Sequence, residues 1–451
     1  MKKILFLLGF ILFILEFSKA QPDVKKPFPI LQKDDFQFLE DLTEDVLESS
    51  RIYPGQSVPN NPGPNNTGGT LIRPGGRDCY PAFWIRDYAM SLESGLIPLE
   101  EQRHMLLLTA STQCDQTWIT PGGSLVPFGA IADHVRLEDS LPIYFPGTYS
   151  YEDQGIPQFG TLPPISDQFF FIHMAHTYVN STSRETILRQ EINGITLIQR
   201  LENAYKSAAT RHDSPLVHTT EYFRGVDFGF RDVQVITGDL CFPSIMKYRA
   251  SLQLANLLER IGESGKASSF RETAQKLKEI IPAVFSDSRG MLMASTEKSA
   301  QPDVWSTALA VYFGILEGDA REKTCRFLAE AFRNETLAYK GNIRHIITSD
   351  DFSKSTAWEI SLAEKNTYQN GAYWGTPVGW VVYAIAEADH EAARELVEAY
   401  IQELRENDYR KGPDFGAPWE CFHPNGHQQN PVYLTSVSCP YAVFNKMLSN
   451  E

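Results

Sequence analysis

Residues 226–285 read VDFGFRDVQVITGDLCFPSIMKYRASLQLANLLERIGESGKASSFRETAQKLKEIIPAVF, and they contain the repeating unit of this chain. A loop rich in acidic and aromatic residues comes first. A helical pattern follows over about 243–262, where Leu254 and Leu258 lie one turn apart on the apolar side. After a short Gly-Glu-Ser-Gly turn, a second helical pattern covers about 266–285. This stretch predicts a loop followed by a hairpin of two helices.

Loops of this kind occur six times along the chain, each just ahead of a helical pattern. They read FWIRD at 83–87, PPISD at 163–167, VDFGFRD at 226–232, QPDVW at 301–305, YQNGAYW at 368–374 and APWECFHPNG at 417–426. The return of Trp, Phe or Tyr beside Asp, Glu or Asn indicates one supersecondary unit repeated six times. If the loops meet at one end of a closed ring, they form a deep, aromatic and acidic pocket. Aromatic rings suit the C–H faces of sugars, and carboxylates suit sugar hydroxyls.

Helical patterns occur at twelve places, which is six pairs. They cover about 36–50, 87–97, 100–113, 166–179, 184–206, 243–262, 266–285, 304–316, 320–333, 377–388, 390–407 and 435–448. The six loops precede the even-numbered patterns, so those helices all begin at one end, where unpaired N–H groups give a partial positive potential. We therefore predict an all-α fold, an (α/α)6 barrel of six helical hairpins with long loops over one end. The alternative is an open array of helical repeats in which these loops are only caps. A short strand is expected within 338–349.

Two connections, about 114–163 and 207–242, are much longer than the others. Long ordered loops in a compact domain are usually functional. A purely structural cover over the rim of the barrel explains them equally well.

The first twenty residues, MKKILFLLGFILFILEFSKA, have the lysines, apolar run and small-residue end of a secretory signal. We expect residues 1–20 to be a signal peptide that is cleaved after Ala20. A single catalytic domain is then expected over 21–451, in a secreted or periplasmic protein. A signal anchor is the alternative, although the apolar run is short for a membrane span.

Composition narrows the class of partner. The net charge of −15 argues against nucleic acid and anionic membranes, and the aromatic content of 12% fits a carbohydrate pocket. The six cysteines are scattered, so one or two disulfides are allowed but their pairing is not predicted. No metal-ligand spacing is present, and neither a P-loop nor a nucleophile elbow occurs. We expect an oligosaccharide or polysaccharide substrate, no nucleic acid, no membrane after signal cleavage, no metal, no cofactor and a monomer.

The first loop offers a stacking plane at Trp84, a bidentate donor at Arg86 and a carboxylate at Asp87. These groups suit neighbouring sugar hydroxyls, but Asp87 could equally be the N-cap of a helix. In the last loop, Glu420 stands between bulky apolar neighbours in a segment bounded by Pro and Gly. Burial there would raise its pKa. The alternative for Glu420 is a structural ion pair.

A general acid is sought among Glu221, Asp227 and Asp232, where apolar neighbours would raise a carboxyl pKa. Spacing does not decide which of them takes this role. Asp239 fits best as the N-terminal cap of the helix near 243. Other candidate sugar ligands are Asp167, Arg231, Trp305, Gln369, Asn370, Tyr373, Trp374, Trp419 and His423. Helix capping at Asp167 and at Asp303 beside Trp305, and a simple Asn-Gly turn at 370–371, are the structural alternatives.

Several of these segments resemble the six-hairpin glycosidases, the (α/α)6-barrel superfamily of glucoamylases, processing α-glucosidases, debranching-type glucosidases and α-1,6-mannosidases. FWIRDYAMSL resembles their Trp-x-Arg-Asp segment, which implies that Arg86 and Asp87 hold the non-reducing-end sugar. WECFHPNGHQQNPVYLTSVSCPY resembles their last loop, which implies that Glu420 is the general base. The stretch beginning VDFGFRD resembles their general-acid region, and PDVWSTALAVYFGIL and YQNGAYWGTPVGW resemble later pocket loops. The likeness spans roughly 77–448 as short motifs.

One departure from the superfamily is that no Trp-Glu-Glu acid motif of the glucoamylase type is present. The acid therefore stays open between Asp232, Asp227 and Glu221. The resemblance implies a secreted, inverting, exo-acting glycoside hydrolase. A sugar epimerase or polysaccharide lyase on the same fold is one alternative, with His423 available for proton abstraction. A non-catalytic glycan-binding protein is the other.

Overall fold

The fold is rich in helix, as expected. The computed structural model describes residues 30–77, 79–155, 157–226 and 230–449, so the expected signal peptide at 1–20 lies outside the described residues. Twelve α-helices occur in these ranges: α1 (Lys33–Ser50), α2 (Ile85–Ser91), α3 (Leu99–Ser111), α4 (Asp167–Thr182), α5 (Leu197–Ser207), α6 (Cys241–Arg260), α7 (Ser264–Phe285), α8 (Val304–Tyr312), α9 (Gly318–Arg333), α10 (Val378–Ala386), α11 (His390–Glu406) and α12 (Thr435–Ser449). The predicted helix-rich class is confirmed.

The even-numbered helices contact one another in a closed circular order, α2 to α4, α6, α8, α10, α12 and back to α2. The odd-numbered helices pack outside them: α3 contacts α4, α5 lies against α4 and α6, α7 lies along α6, α9 and α11 contact α10, and α1 contacts α12. The inner helices α8 and α10 are apolar and buried over almost their whole length. The outer helices α9 and α11 bury one face only, as amphipathic helices do.

Among the described residues, fifteen strands of two to four residues occur in the loops. They are β1 (Arg51–Ile52), β2 (Leu71–Ile72), β3 (Phe83–Trp84), β4 (Trp118–Ile119), β5 (Leu125–Val126), β6 (His134–Val135), β7 (Pro142–Ile143), β8 (Glu191–Ile192), β9 (Ile195–Thr196), β10 (His218–Thr219), β11 (Gly238–Asp239), β12 (Ala338–Tyr339), β13 (Asn342–Ile343), β14 (Trp419–Phe422) and β15 (Gln428–Pro431). Each pairs antiparallel with its neighbour in sequence, except that β3, β6 and β7 form one three-stranded sheet. The strand expected within 338–349 is confirmed as the hairpin β12–β13.

One predicted helix is divided. The pattern over 184–206 contains the hairpin β8–β9, and α5 begins only after it. Asn193 and Gly194 both have positive φ, 49° and 77°, as a two-residue hairpin turn requires. Thr196 then caps α5 through a reciprocal bond with Gln199. The apolar spacing of 184–206 fits one continuous helix, but the Asn-Gly turn at 193–194 interrupts it.

The assignment of Asp239 as the cap of α6 is wrong, and so is the alternative of a cap at Asp87. Leu240 is the N-cap of α6 and makes no side-chain bond, whereas Asp239 accepts from His218 Nδ1 at 2.8 Å. Asp87 is the third residue of α2 rather than its N-cap. The alternative of a helix cap at Asp303 is confirmed, because its carboxylate accepts from the backbone N–H groups of Trp305 and Ser306.

The six cysteines are all free thiols, so the disulfides allowed by the sequence are not formed in this structure. Within the described ranges, the helices are too short or too polar to cross a membrane.

Candidate active site

A cavity of about 230 Å³ lies at the end of the ring where the even-numbered helices begin. Its walls come from loops that precede α2, α6, α10 and α12, and from the long 114–163 connection. The lining residues are Tyr80, Trp84, Arg86, Asp87, Pro146, Gly147, Thr148, Tyr149, Phe159, Phe230, Asp232, Val233, Tyr368, Glu420 and Tyr433. Four of the six acid- and aromatic-rich loops therefore meet at this cavity and bring three carboxyl groups to it, whereas the loops at 163–167 and 301–305 contribute no lining residue.

Glu420 is held by a hydrogen-bonded frame on strand β14. The Tyr80 hydroxyl donates to Oε1 at 2.8 Å, and the side-chain amides of Asn430 and Gln429 donate to Oε2. The residue is only 1% exposed. Burial raises the pKa of Glu420 to about 8, against the lowering effect of Tyr80 and Asn430, and the charges of Asp87 and Asp232 raise it further.

Asp87 lies in the first turn of α2 and accepts a hydrogen bond of 2.6 Å from the Tyr433 hydroxyl. Burial raises the pKa of Asp87 to about 6, while the Tyr433 bond and the Arg86 charge oppose that rise. This carboxyl therefore keeps its proton to a higher pH than an ordinary aspartate does.

The guanidinium of Arg86 is surrounded by acids. Its nitrogens lie 2.8 Å from an oxygen of Asp133, 3.6 Å from Asp167 and 3.9 Å from Asp232. Burial alone would raise the pKa of Asp133, but Arg86 and His134 outweigh it and the pKa is lowered. Burial raises the pKa of Asp167 well above its ordinary value despite Arg86. Arg86 is thus a cation shared by Asp133, Asp167 and Asp232. The pKa of Asp133 is lowered while that of Asp167 is raised, so these acids ionise at different pH.

Asp232 faces the cavity with 16% of its side chain exposed. Gln369 anchors it: the amide donates to Asp232 Oδ2 at 3.3 Å and accepts from the backbone N–H of Val233 at 2.9 Å. Burial raises the pKa of Asp232, Arg86 lowers it, and the charge of Asp133 raises it. A carboxyl with a raised pKa that still reaches the cavity is suited to donate a proton.

Asp232 and Glu420 are coupled by charge. The negative charge of Asp232 is among the causes that raise the pKa of Glu420. Protonating Asp232 removes that charge and so favours the ionised form of Glu420. The electrostatics therefore favour a state with one acid and one base in the same cavity.

Aromatic rings form much of the remaining wall. Tyr80 and Tyr149 each meet Trp84 edge to face, with ring centroids 4.9 and 5.6 Å apart. Phe230 lies against Trp374 at 5.2 Å. Tyr80, Trp84, Tyr149 and Phe230 line the cavity and supply the flat apolar surface expected of a sugar site, whereas Trp374 is buried behind Phe230.

Several candidate ligands lie away from the cavity lining. Arg231 forms a fully buried ion pair with Asp303 at 2.8 Å. The Trp305 ring stacks on His345 at 4.1 Å and is itself fully buried, so it packs beneath the cavity. The side chain of Asn370 accepts from the backbone N–H of Ala357 at 2.9 Å and thereby stabilises the connection between β13 and α10.

The remaining candidates also have other partners. Tyr373 and His423 stack on each other at 5.7 Å outside the cavity lining. The backbone carbonyl of Trp419 accepts from Ser436, and this tryptophan is not part of the lining. Glu221 is exposed and pairs with Lys298 at 2.6 Å. Asp227 lies outside the described residues.

The structure also brings in residues that the sequence reasoning did not single out as ligands. Tyr80, Asn430 and Tyr433 contact the two carboxylates directly, and Asp133 contacts Arg86. In the sequence these residues are marked only by their positions. Tyr80 lies just before FWIRD, Asn430 and Tyr433 follow the last loop motif, and Asp133 lies in the long 114–163 connection. Within the described ranges, His, Cys, Asp and Glu form no group of three arranged to hold a metal ion.

No protein-family model matches the chain, and no curated protein sequence is significantly similar to it. Solved structures that share its fold include two rhamnosidases. A rhamnosidase from Klebsiella oxytoca with rhamnose bound aligns at a TM-score of 0.56 and 13% identity, over 94% of this chain and 66% of that one. A GH78 family rhamnosidase of Bacillus sp. GL1 aligns at 0.53 and 13%, over 91% and 35%. This chain thus spans just under two thirds of the first protein and about a third of the second, and the likeness is one of fold.

Proposed function

We propose that this protein is a secreted, inverting, exo-acting glycoside hydrolase that cleaves a glycosidic bond of an oligosaccharide or polysaccharide. The observation that carries the proposal is the placement of Asp232 and Glu420 in one aromatic cavity. They precede α6 and α12, which are three steps apart in the circular order of six inner helices. Two carboxyls supplied from opposite sides of a ring suit a reaction that needs an acid and a base around one bond.

In this reaction Asp232 protonates the glycosidic oxygen as the bond breaks, and Glu420 takes a proton from the attacking water. Inversion needs the carboxyls about 6.5–9.5 Å apart, which leaves space for that water. Burial raises the pKa of both carboxyls, so the assignment of the acid rests on access: the side chain of Asp232 is 16% exposed toward the cavity, whereas Glu420 is only 1% exposed. The three hydrogen-bond donors around Glu420 support its role as the base, because they stabilise a carboxylate.

Arg86 and Asp87 hold the hydroxyls of the terminal sugar in this proposal, and Trp84 offers its ring. Both charged groups are buried at the cavity and already fixed by other side chains. Preorganised polar groups bind a sugar without further ordering cost. A small cavity supports exo-action, since it accommodates a chain end more readily than the middle of a polymer.

The closed order of the inner helices supports an (α/α)6 barrel of the six-hairpin glycosidase type. We further propose that residues 21–451 are a single catalytic domain that works as a monomer after cleavage of the signal peptide. The two rhamnosidases of related fold make a deoxy sugar such as rhamnose a reasonable first substrate to test. The proposed chemistry involves the carboxyls alone and calls for no metal or cofactor.

The test is a screen of reducing-sugar release over defined oligosaccharides and aryl glycosides, with rhamnosides included. Asp232→Asn and Glu420→Gln serve as matched inactive controls. Release of single sugars from chain ends by the wild type, absent in both variants, is the expected result. Tight glycan binding without release would instead make the protein a glycan-binding module.

A further inference from the structure

We propose that Asp133 and His134 are positioning residues for this reaction: they fix Arg86 and Trp84, and so control how closely Arg86 approaches Asp232. The inference rests on the proposed function and extends it to the 114–163 connection, which the sequence left open between a functional loop and a structural cover. Neither residue lines the cavity.

The backbone holds the two segments in register. Strand β6 pairs antiparallel with β3, so that His134 lies opposite Trp84 and Val135 opposite Phe83. The N–H of Ile85 adds a bond to the carbonyl of Asp133 at 3.3 Å. Residues directly opposite in an antiparallel pair have neighbouring side chains. The long connection is thereby fastened beside the Trp-Ile-Arg-Asp segment.

Asp133 is the nearest of the acids paired with Arg86. The guanidinium lies 2.8 Å from Asp133 but 3.9 Å from Asp232. Asp133 is completely buried, so water does not weaken this attraction as it would at the surface. The Asp133 carboxylate thus draws the guanidinium away from Asp232 and neutralises part of its charge. An acid that must keep a proton benefits from both effects.

The other charged groups around Asp232 do not have the same geometry. Asp167 meets Arg86 at 3.6 Å from the start of α4. Asp87 is bonded to Tyr433, and Glu420 lies in its own frame of three donors. Burial raises the pKa of each of these three carboxyls, whereas the pKa of Asp133 is lowered. Among the described acids, Asp133 combines the shortest contact to Arg86 with a second partner of its own.

That second partner is His134. Its Nδ1 lies 2.9 Å from Asp133 Oδ2, and its ring stacks on Trp84 with centroids 4.3 Å apart. The same ring meets Tyr149 edge to face at 5.2 Å. Nε2 is buried and has no hydrogen-bond partner among the described residues. A buried polar atom without a partner is destabilising, so a more apolar ring would suit stability better. The bond to Asp133 explains why a histidine stands there.

The first experiment compares Asp133→Asn with Asp115→Asn in the full-length protein. Asp115 lies in the same connection and pairs with the buried Arg200 at 2.7 Å, but it does not line the cavity. Both changes replace an arginine-paired carboxylate by an amide of the same shape. The pH profile of kcat/KM is measured, and the limb set by Asp232 is the alkaline one, where a general acid loses its proton.

Removing the Asp133 charge leaves Arg86 free to act more strongly on Asp232. The expected result is that the Asp232 limb moves down by about one pH unit, which is roughly a tenfold loss of kcat/KM above that limb. Asp115→Asn leaves the limb in place. An unmoved limb in Asp133→Asn, or equal shifts in both variants, overturns the proposal.

The second experiment separates the ring of His134 from its nitrogen. His134→Phe keeps a ring against Trp84, whereas His134→Ala removes it. We expect KM to rise about two- to tenfold in His134→Ala and to stay near the wild-type value in His134→Phe, since aromatic pairs have about that effect. Equal KM values in the two variants contradict a role in placing Trp84.

A third readout does not depend on turnover. Carbon-13 NMR of labelled Asp carboxyls, with Asp232→Asn for assignment, follows the titration of Asp232 directly. A lowered titration in Asp133→Asn supports the positioning role even if no glycoside is cleaved, in which case only the proposed hydrolase function fails. Unchanged titration in a protein that does cleave glycosides overturns the positioning role alone.

Discussion

The hydroxyl of Tyr433 donates a hydrogen bond of 2.6 Å to Oδ1 of Asp87. The two residues are distant in sequence, but Tyr433 lies in the loop that precedes α12 and Asp87 lies in the first turn of α2, and these helices are neighbours in the ring. Both side chains line the cavity. The bond fixes the Asp87 carboxylate where the ring closes, and this position favours a ligand role for Asp87 over helix capping.

Asp87→Ala is therefore expected to raise KM and lower kcat together. A carboxylate that holds sugar hydroxyls more tightly in the transition state acts on both constants. Steady-state kinetics on the best substrate measure the change. Tyr433→Phe, which keeps the carboxylate but loses its anchor, should show a smaller loss. If Asp87→Ala lowers only the melting temperature and retains its kinetics, the residue is structural.

Glu420→Gln should abolish turnover while substrate binding stays nearly intact. The amide keeps the shape of the side chain but cannot accept a proton from water, and loss of a general base typically costs about 10²–10⁴-fold. Single-turnover kinetics and calorimetric binding of an uncleaved oligosaccharide provide the two readouts. A variant with a near wild-type rate would remove Glu420 from the mechanism.

The raised pKa of Glu420 also predicts how the stability of the protein depends on pH. Its pKa is about 8 in the folded protein and ordinarily 4.5, so the folded state holds a proton that the unfolded chain releases between these values. Stability from this carboxyl is complete below its ordinary pKa and is lost as the pH rises through about 8. Over that window the melting temperature of the wild type should fall relative to Glu420→Gln, whose amide does not titrate. Parallel curves for the two proteins would show that Glu420 is already ionised.

For the buried ion pair between Arg231 and Asp303, we predict that a substitution affects the stability of the fold. Both side chains are fully buried, and Asp303 also caps α8. Asp303→Ala removes a buried carboxylate that both pairs with Arg231 and caps α8, and should destabilise the fold by about 3–5 kcal/mol. Asp213→Ala, which removes an exposed partner of Arg211, should leave the melting temperature almost unchanged. Denaturant unfolding measures both, and similar midpoints would contradict the structural role of Asp303.

The pattern of apolar residues predicts most of the helices because every helix buries at least the face that packs on its neighbours. Leu254 and Leu258 lie on the buried side of α6, at the spacing that marked it in the sequence. That reasoning fails where a local turn overrides the pattern, as at Asn193 and Gly194. Apolar spacing records burial, whereas a hairpin turn depends on φ angles that only a few residue types adopt readily.

The composition of the loops predicts part of the cavity lining. Trp84, Arg86, Asp87, Asp232 and Glu420 come from loops flagged by composition, and all line the cavity. The same composition marks Trp305 and Trp374, which are buried beneath it. A tryptophan near the start of an inner helix can face the cavity or the neighbouring loop, and spacing does not distinguish these. Tyr433 and Asp133 were missed because their partners are distant in sequence and meet them only when the ring closes.

The role of Asp232 and the stereochemistry of the reaction can be tested together. If Asp232 donates the proton, Asp232→Asn should lose most activity on ordinary glycosides. It should lose much less on a glycosyl fluoride, whose leaving group needs little protonation, because help from a general acid grows with leaving-group basicity. The raised pKa of Asp232 and its access to the cavity motivate this expectation.

The first-formed sugar should have the opposite anomeric configuration to the substrate, since water attacks directly in a single displacement. Proton NMR of the nascent product, recorded within minutes, measures this before mutarotation obscures it. A retained anomer would exclude single displacement by water. Equal losses on glycoside and fluoride would move the acid role away from Asp232. Asp227 would then be tested before Glu221, because Glu221 is exposed and paired with Lys298 whereas the cavity requires an acid within reach of the glycosidic oxygen.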